Sequence, residues 1–253
     1  MINTEVTQIH TRLLRSTLLE EDSQNYWRQH LHNQTSDEVN LAYDNYWFGS
    51  ANKATIKRTL TNLHARYINF PNCLEVLNLW KNMTVKERAI ICHWHVQLSD
   101  VLYRRFTSEF IPSRFIYTPP TFHKDQAQQW VYSYMGAKWA GSTQAQLASK
   151  MMSCIRSTGL VASESKDTIQ LQYPLISNHC LTYILYALRE ISFQGNMLEN
   201  PYLKSVGLTG SFLISQINQS SALSVQQIGD TISFEWKYPS LVEWGKHEFQ
   251  GVV

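Results

Sequence analysis

Between Asp44 and Glu75 the sequence carries no acidic residue, while Lys53, Lys57, Arg58 and Arg66 fall within one stretch of helical pattern, Ala51 to Ile68. At about 100° per residue, Ile56, Leu60, Leu63 and Tyr67 gather on one side of that helix, with Lys57, Arg58, Thr61 and Asn62 on the other. Such a helix can anchor by its apolar face and offer cations and short polar groups to phosphates or base edges. A predicted helix from Asp37 to Phe48 and the pair Gly49-Ser50 precede it. That is the order of a helix-turn-helix whose second helix reads DNA. An ordinary solvated helix face has the same pattern, and spacing does not separate the two readings.

A second acid-free stretch runs from Gln126 to Ser163 and holds Lys138, Lys150 and Arg156. Helices over Lys124 to Ala140 and Thr143 to Thr158, joined at Gly141-Ser142, are predicted there. Leu147, Met151 and Ile155 form a buried stripe, leaving Gln146, Ser149, Lys150, Ser153 and Arg156 toward solvent. Gly159 stops the second helix, Ser163 to Asp167 turn the chain, and Ile169, Leu171 and Tyr173 alternate up to Pro174. Helix, tight turn, helix, hairpin is the order of a winged helix, a module used for DNA and also for docking proteins.

Other chemistries find less support. His93 and His95 lie about 200° apart around one helix, so they cannot chelate one ion from the same face. Four cysteines, at 73, 92, 154 and 180, form no C-x-x-C pair and are read as buried, inert thiols of a reducing compartment. No phosphate loop, dinucleotide fingerprint or H-E-x-x-H motif occurs. Arg88 to His93 and Arg58 to His64 match the Arg-to-His spacing of small helical RNases of the HEPN type, but without the polar amide or carboxylate residue usual after the Arg. Trp27, Trp47, Trp80, Trp94 and Trp130 could stack on bases; their helical spacings favour the core.

The elements that must position these residues are mostly helical. The 253 residues are 43% hydrophobic and 17% charged with a net charge of +2, so a large core is available and any polyanion footprint must come from local clustering. Further helices are predicted over Thr11 to Glu21, Leu74 to Lys81, Val85 to Phe110, Asn178 to Ile191 and Thr209 to Asn218. A hairpin is predicted over Leu223 to Trp236 about Gly229-Asp230. The aromatic connector from Phe115 to Phe122, with Pro119-Pro120, divides the chain into an N-terminal helical domain (1–118) and a winged-helix domain with a C-terminal helical and hairpin extension (119–253). Met1 to His10 lacks the order of a secretory signal and no apolar run is long enough to span a bilayer, which predicts a cytoplasmic protein.

The segment from Ser36 to Phe110, with Ser50-Ala-Asn-Lys-Ala-Thr-Ile-Lys-Arg58 and Leu63-His-Ala-Arg66, resembles the BrxA family. The likeness resumes at Trp139-Ala-Gly-Ser-Thr143 and continues through Arg156 and Thr158-Gly-Leu-Val161, covering about two thirds of the chain. BrxA proteins are small accessory proteins of BREX bacteriophage-exclusion systems. The resemblance implies a helical protein with winged-helix character that binds DNA beside a methyltransferase, an ATPase and a phosphatase-like protein.

The sequence therefore predicts a mainly α helical bundle with helix-turn-helix and winged-helix elements and small β-hairpins. The predicted partner is double-stranded DNA, contacted through Lys53, Lys57, Arg58, Thr61, Asn62, Arg66, Gln146, Lys150 and Arg156, and no metal, cofactor or catalytic residue is expected. A non-enzymatic adaptor that docks other defence proteins through the same faces is the alternative, and a HEPN-like RNase is a third.

Overall fold

Where a short polar side chain stands just ahead of an apolar run, a helix starts. Asp37 caps α2 (Glu38–Asp44), Asn52 caps α3 (Lys53–Tyr67), and Thr84 with Glu87 forms the capping box of α5 (Val85–Ser99). Pro71 opens α4 (Pro71–Leu79), where its missing N–H is harmless. The computed structural model describes residues 3–30, 37–136, 139–228 and 231–250. The predicted Gly229-Asp230 turn and Lys138 lie outside the described residues.

Three predicted helices are rearranged. The one expected from Asp37 to Phe48 ends at Asp44, and the stretch from Asn45 to Asn52, with Tyr46 at positive φ (54°), replaces the tight Gly49-Ser50 turn before α3. Thr11 to Glu21 is not one helix: a 3-10 turn at Arg12–Leu14 is followed by Leu19 in a left-handed conformation (φ 57°), and α1 runs from Glu20 to His30. The long helix from Val85 breaks at Asp100, whose extended backbone and side-chain bond to the Tyr103 amide start α6 (Val101–Arg105) anew. A π-helical segment, Phe106–Phe110, and α7 (Ile111–Arg114) complete that stretch.

After the connector come β2 (Thr121–His123), α8 (Lys124–Met135), α9 (Gly141–Ser157), β3 (Val161–Glu164) and β4 (Thr168–Leu171). The hairpin gains a strand that sequence reasoning missed: β2 pairs antiparallel with β4, giving the order β2-β4-β3. The chain ends with α10 (Asn178–Arg189), β5 (Ile191–Ser192), α11 (Pro201–Lys204), α12 (Gly210–Ile217), the hairpin β6 (Leu223–Ile228) and β7 (Thr231–Trp236), and α13 (Leu241–Phe249). β5 pairs in parallel with β1 (Asn3–Thr4).

From Arg88 to Ser99 every residue of α5 is buried, so this helix is the axis of the core rather than an amphipathic wall. It packs against α1, α3 and α10, while α13 lies on α4 and the 3-10 turn on α9. Trp27, Trp47, Trp80 and Trp94 are buried, and Trp130 packs against the core partly buried. The protein is mainly α with small β elements.

Candidate nucleic-acid interface

The apolar stripe of α3 is seated as its periodicity requires, with Ile56, Leu60, Leu63 and Tyr67 buried. The helix therefore presents Lys53, Lys57, Arg58 and Thr61 to solvent. Thr61 donates to the Lys57 carbonyl at 2.7 Å, and Arg58 to the Thr55 hydroxyl at 3.2 Å. Lys53 turns back on α2, donating to Asn40 and lying 5.0 Å from the centre of the Tyr43 ring.

Two of the predicted contact residues are placed inside instead. Asn62 is buried, its amide donating to the Arg58 carbonyl at 2.9 Å. Arg66 is 4% exposed, and its guanidinium donates to the carbonyls of Thr17 and Leu18 and to the Ser16 hydroxyl. Arg66 thus fastens the irregular segment ahead of α1. Its position one turn beyond Asn62, on the border of the apolar stripe, carried that signal.

Fastening that segment has a consequence for charge. The 3-10 turn lies beside α3, and together they enclose a groove of about 480 Å³ lined by Arg12, Arg15, Lys57, Arg58, Thr61 and Asn62 among others, with no acidic residue. The four cations are exposed and form no ion pair among the described residues. Arg12 and Arg15 were missed because they stand in a separate stretch of sequence. Their spacing of three around an apolar Leu13-Leu14 pair was the available hint.

On α9, Leu147, Met151 and Ile155 are buried, Gln146 is exposed and Lys150 half-buried without an ion pair. Arg156 is exposed but engaged, meeting Glu164 of β3 through two hydrogen bonds of 2.6 and 2.7 Å. The α9 face therefore offers less unpaired charge than the groove.

The histidines and cysteines serve the core. His93 bonds Tyr103 and Ser205, and His95 bonds the Arg66 carbonyl and Tyr183, so both rings have both nitrogens occupied. Neither ring can present a free nitrogen to a substrate. All four cysteines are buried, and burial pushes the thiols of Cys73 and Cys154 up to about 12 and that of Cys92 to about 11. Among the described residues no cluster of His, Cys, Asp and Glu could hold a metal ion, and no helix is long and apolar enough to cross a membrane.

The BrxA family profile matches residues 9–185, which includes both the groove and the β2-β4-β3 unit. The chain belongs to the BrxA family. It is thereby associated with BREX phage defence. This BrxA member is also similar to a crystal structure of an uncharacterized protein from Magnetospirillum magneticum. That likeness has a TM-score of 0.62 at 13% identity and covers 79% of this chain and 98% of that one, a likeness of fold. Curated proteins yield no match.

Proposed function

We propose that this BrxA protein binds duplex DNA through phosphate contacts in the groove between the 3-10 turn and α3, as a non-enzymatic accessory protein of a BREX-like system. The observation that carries this reading is the acid-free set Arg12, Arg15, Lys57 and Arg58, drawn from two chain segments onto one exposed groove. Clustered, unpaired cations on an otherwise near-neutral molecule suit counterion release from a polyanion. The α2-α3 pair keeps the helix order of a helix-turn-helix with a longer connector, 45–52, and the order β2-β4-β3 with α8 and α9 supports a winged helix as a second, weaker contact through Gln146 and Lys150. We further propose that residues 1–118 and 119–253 each carry one of these surfaces.

Gel shifts with duplex, single-stranded and RNA probes test the reading. Duplex retention that Lys57→Glu with Arg58→Glu abolishes is the expected result, and equal retention by the double variant overturns it. A protein-docking role is favoured by one observation, the exposure of Ile116 (77%) and Leu175 (91%). Its partners would be other proteins of the defence system, in the cytoplasm.

A further inference from the structure

A second cleft, of about 470 Å³, opens between the α6 and π-helical stretch, the turn at 194–200, α11 and the start of α12, and shares no residue with the basic groove. That volume falls in the range of small-molecule sites, about 300–1,000 Å³. π-helical turns are often found at functional sites.

Ser108, within the π-helical segment, lines this cleft at 5% exposure, and its hydroxyl has no hydrogen-bond partner among the described residues. Its oxygen is not one of the fully buried unpartnered atoms, so the hydroxyl opens onto the cleft, where a ligand oxygen can bond it. The eight-residue helix α12 starts at the same cleft without a cap, since Thr209 makes no side-chain bond to its first turn. Its leading N–H groups, the positive end of the helix dipole, are therefore open to an anion. Gly210, the first residue of α12, is left-handed (φ +55°), so the helical N–H array begins with the residues after it; a Cβ there would meet nothing within 4 Å, and the approach is clear.

The charged residues divide the cleft. Lys204 has no ion pair among the described residues, and Arg105 stands at the rim beside Glu109, 4.0 Å away. Glu199 contributes a carboxylate with no described partner, which repels a bare anion but accepts bonds from hydroxyls. The turn carrying it is held by Gly195 (φ +105°), where a Cβ would stand 2.3 Å from the Glu199 carbonyl oxygen.

We propose that this cleft binds a small phosphomonoester bearing vicinal hydroxyls, a nucleoside or sugar monophosphate. The phosphate sits at the start of α12 with Lys204 and the Ser108 hydroxyl, and the hydroxyls bond Glu199. The inference goes beyond duplex binding and does not depend on it.

Calorimetric titration of the full chain with AMP, ribose 5-phosphate, adenosine and inorganic phosphate tests it. AMP is expected to bind at least about tenfold more tightly than adenosine, the worth of a charge-assisted hydrogen bond, and more tightly than inorganic phosphate. Comparable binding of ribose 5-phosphate assigns the site to sugar phosphates, and binding of AMP alone to nucleotides. The surface variant Lys204→Glu and the core variant Ser108→Ala should each weaken AMP by about tenfold, while Lys57→Glu with Arg58→Glu leaves it unchanged. No heat with any phosphomonoester, adenosine or inorganic phosphate binding as well as AMP, or loss in the groove variant alone would each overturn the proposal.

Discussion

Arg156 and Glu164 face each other at the junction of α9 and β3 as a two-pronged pair, Nε to Oε2 at 2.6 Å and Nη2 to Oε1 at 2.7 Å. Lys124 at the start of α8 reaches the same carboxylate at 2.7 Å. Hydrogen bonds from Arg156 and then Lys124 hold the Glu164 carboxyl down at about 2. One acid thus ties the β3-β4 hairpin to both helices and neutralises the cations nearest to it.

Glu164→Gln therefore releases two cations on this face. If the face touches DNA, duplex affinity rises and the salt slope steepens by up to about two. The fold should lose less than about 1 kcal/mol, since the pair is solvent-exposed and screened. Fluorescence anisotropy at several salt concentrations reads both. Unchanged affinity and slope would remove the α9 face from the DNA-binding surface.

Arg66, read from the sequence as a DNA-binding residue, is expected to act on stability instead. Its guanidinium satisfies the Thr17 and Leu18 carbonyls and the Ser16 hydroxyl in a buried site. Arg66→Ala should cost on the order of 2–4 kcal/mol in urea unfolding, and Arg66→Lys should recover only part of it because a point charge cannot serve three acceptors. A normal unfolding midpoint with selective loss of DNA binding would restore the DNA-binding role.

Acid should weaken the fold below about pH 6.5, the ordinary histidine value. Burial pushes His93 down to about 3 and, with the Arg66 charge, His95 down to about 4, so the folded protein keeps both rings neutral. The unfolded chain binds protons that the folded chain refuses, so stability is full above pH 6.5 and falls as pH drops toward 4, by about 1.4 kcal/mol per unit for each ring. Glu164 keeps its pair down to about pH 2, and the stability that the pair contributes is lost between about pH 4.3 and 2, where the unfolded chain takes up a proton that the folded carboxylate refuses. Urea midpoints between pH 7 and 4.5 check the histidine effect, and a flat profile would contradict it.

Much of this fold is legible locally. The Thr84–Glu87 capping box, the α3 stripe and the alternation Ile169, Leu171 all express short-range periodicities that the structure keeps. What was not legible depends on distant partners. Leu19 adopts positive φ in a segment that Arg66, far along the chain, fastens by its carbonyls, so helical pattern at 11–21 was overridden. β2 is only three residues long and is a strand by virtue of β4. The basic groove is likewise a tertiary product, since Arg12 and Arg15 acquire meaning only beside Lys57 and Arg58. By contrast α13 had a readable start, Ser240 with Glu243 three residues on.

A groove that neutralises DNA phosphates releases counterions, and the slope of log Kd against log salt concentration counts them. The comparison is between the native protein and a variant carrying Arg12→Ala, Arg15→Ala, Lys57→Ala and Arg58→Ala, all exposed positions whose truncation leaves the core intact. Removing one cation that neutralises a phosphate should reduce the slope by about 0.9, so the four together account for up to about 3.6. A folded variant that binds duplex with the native affinity and the native slope would show that the groove does not touch the phosphates.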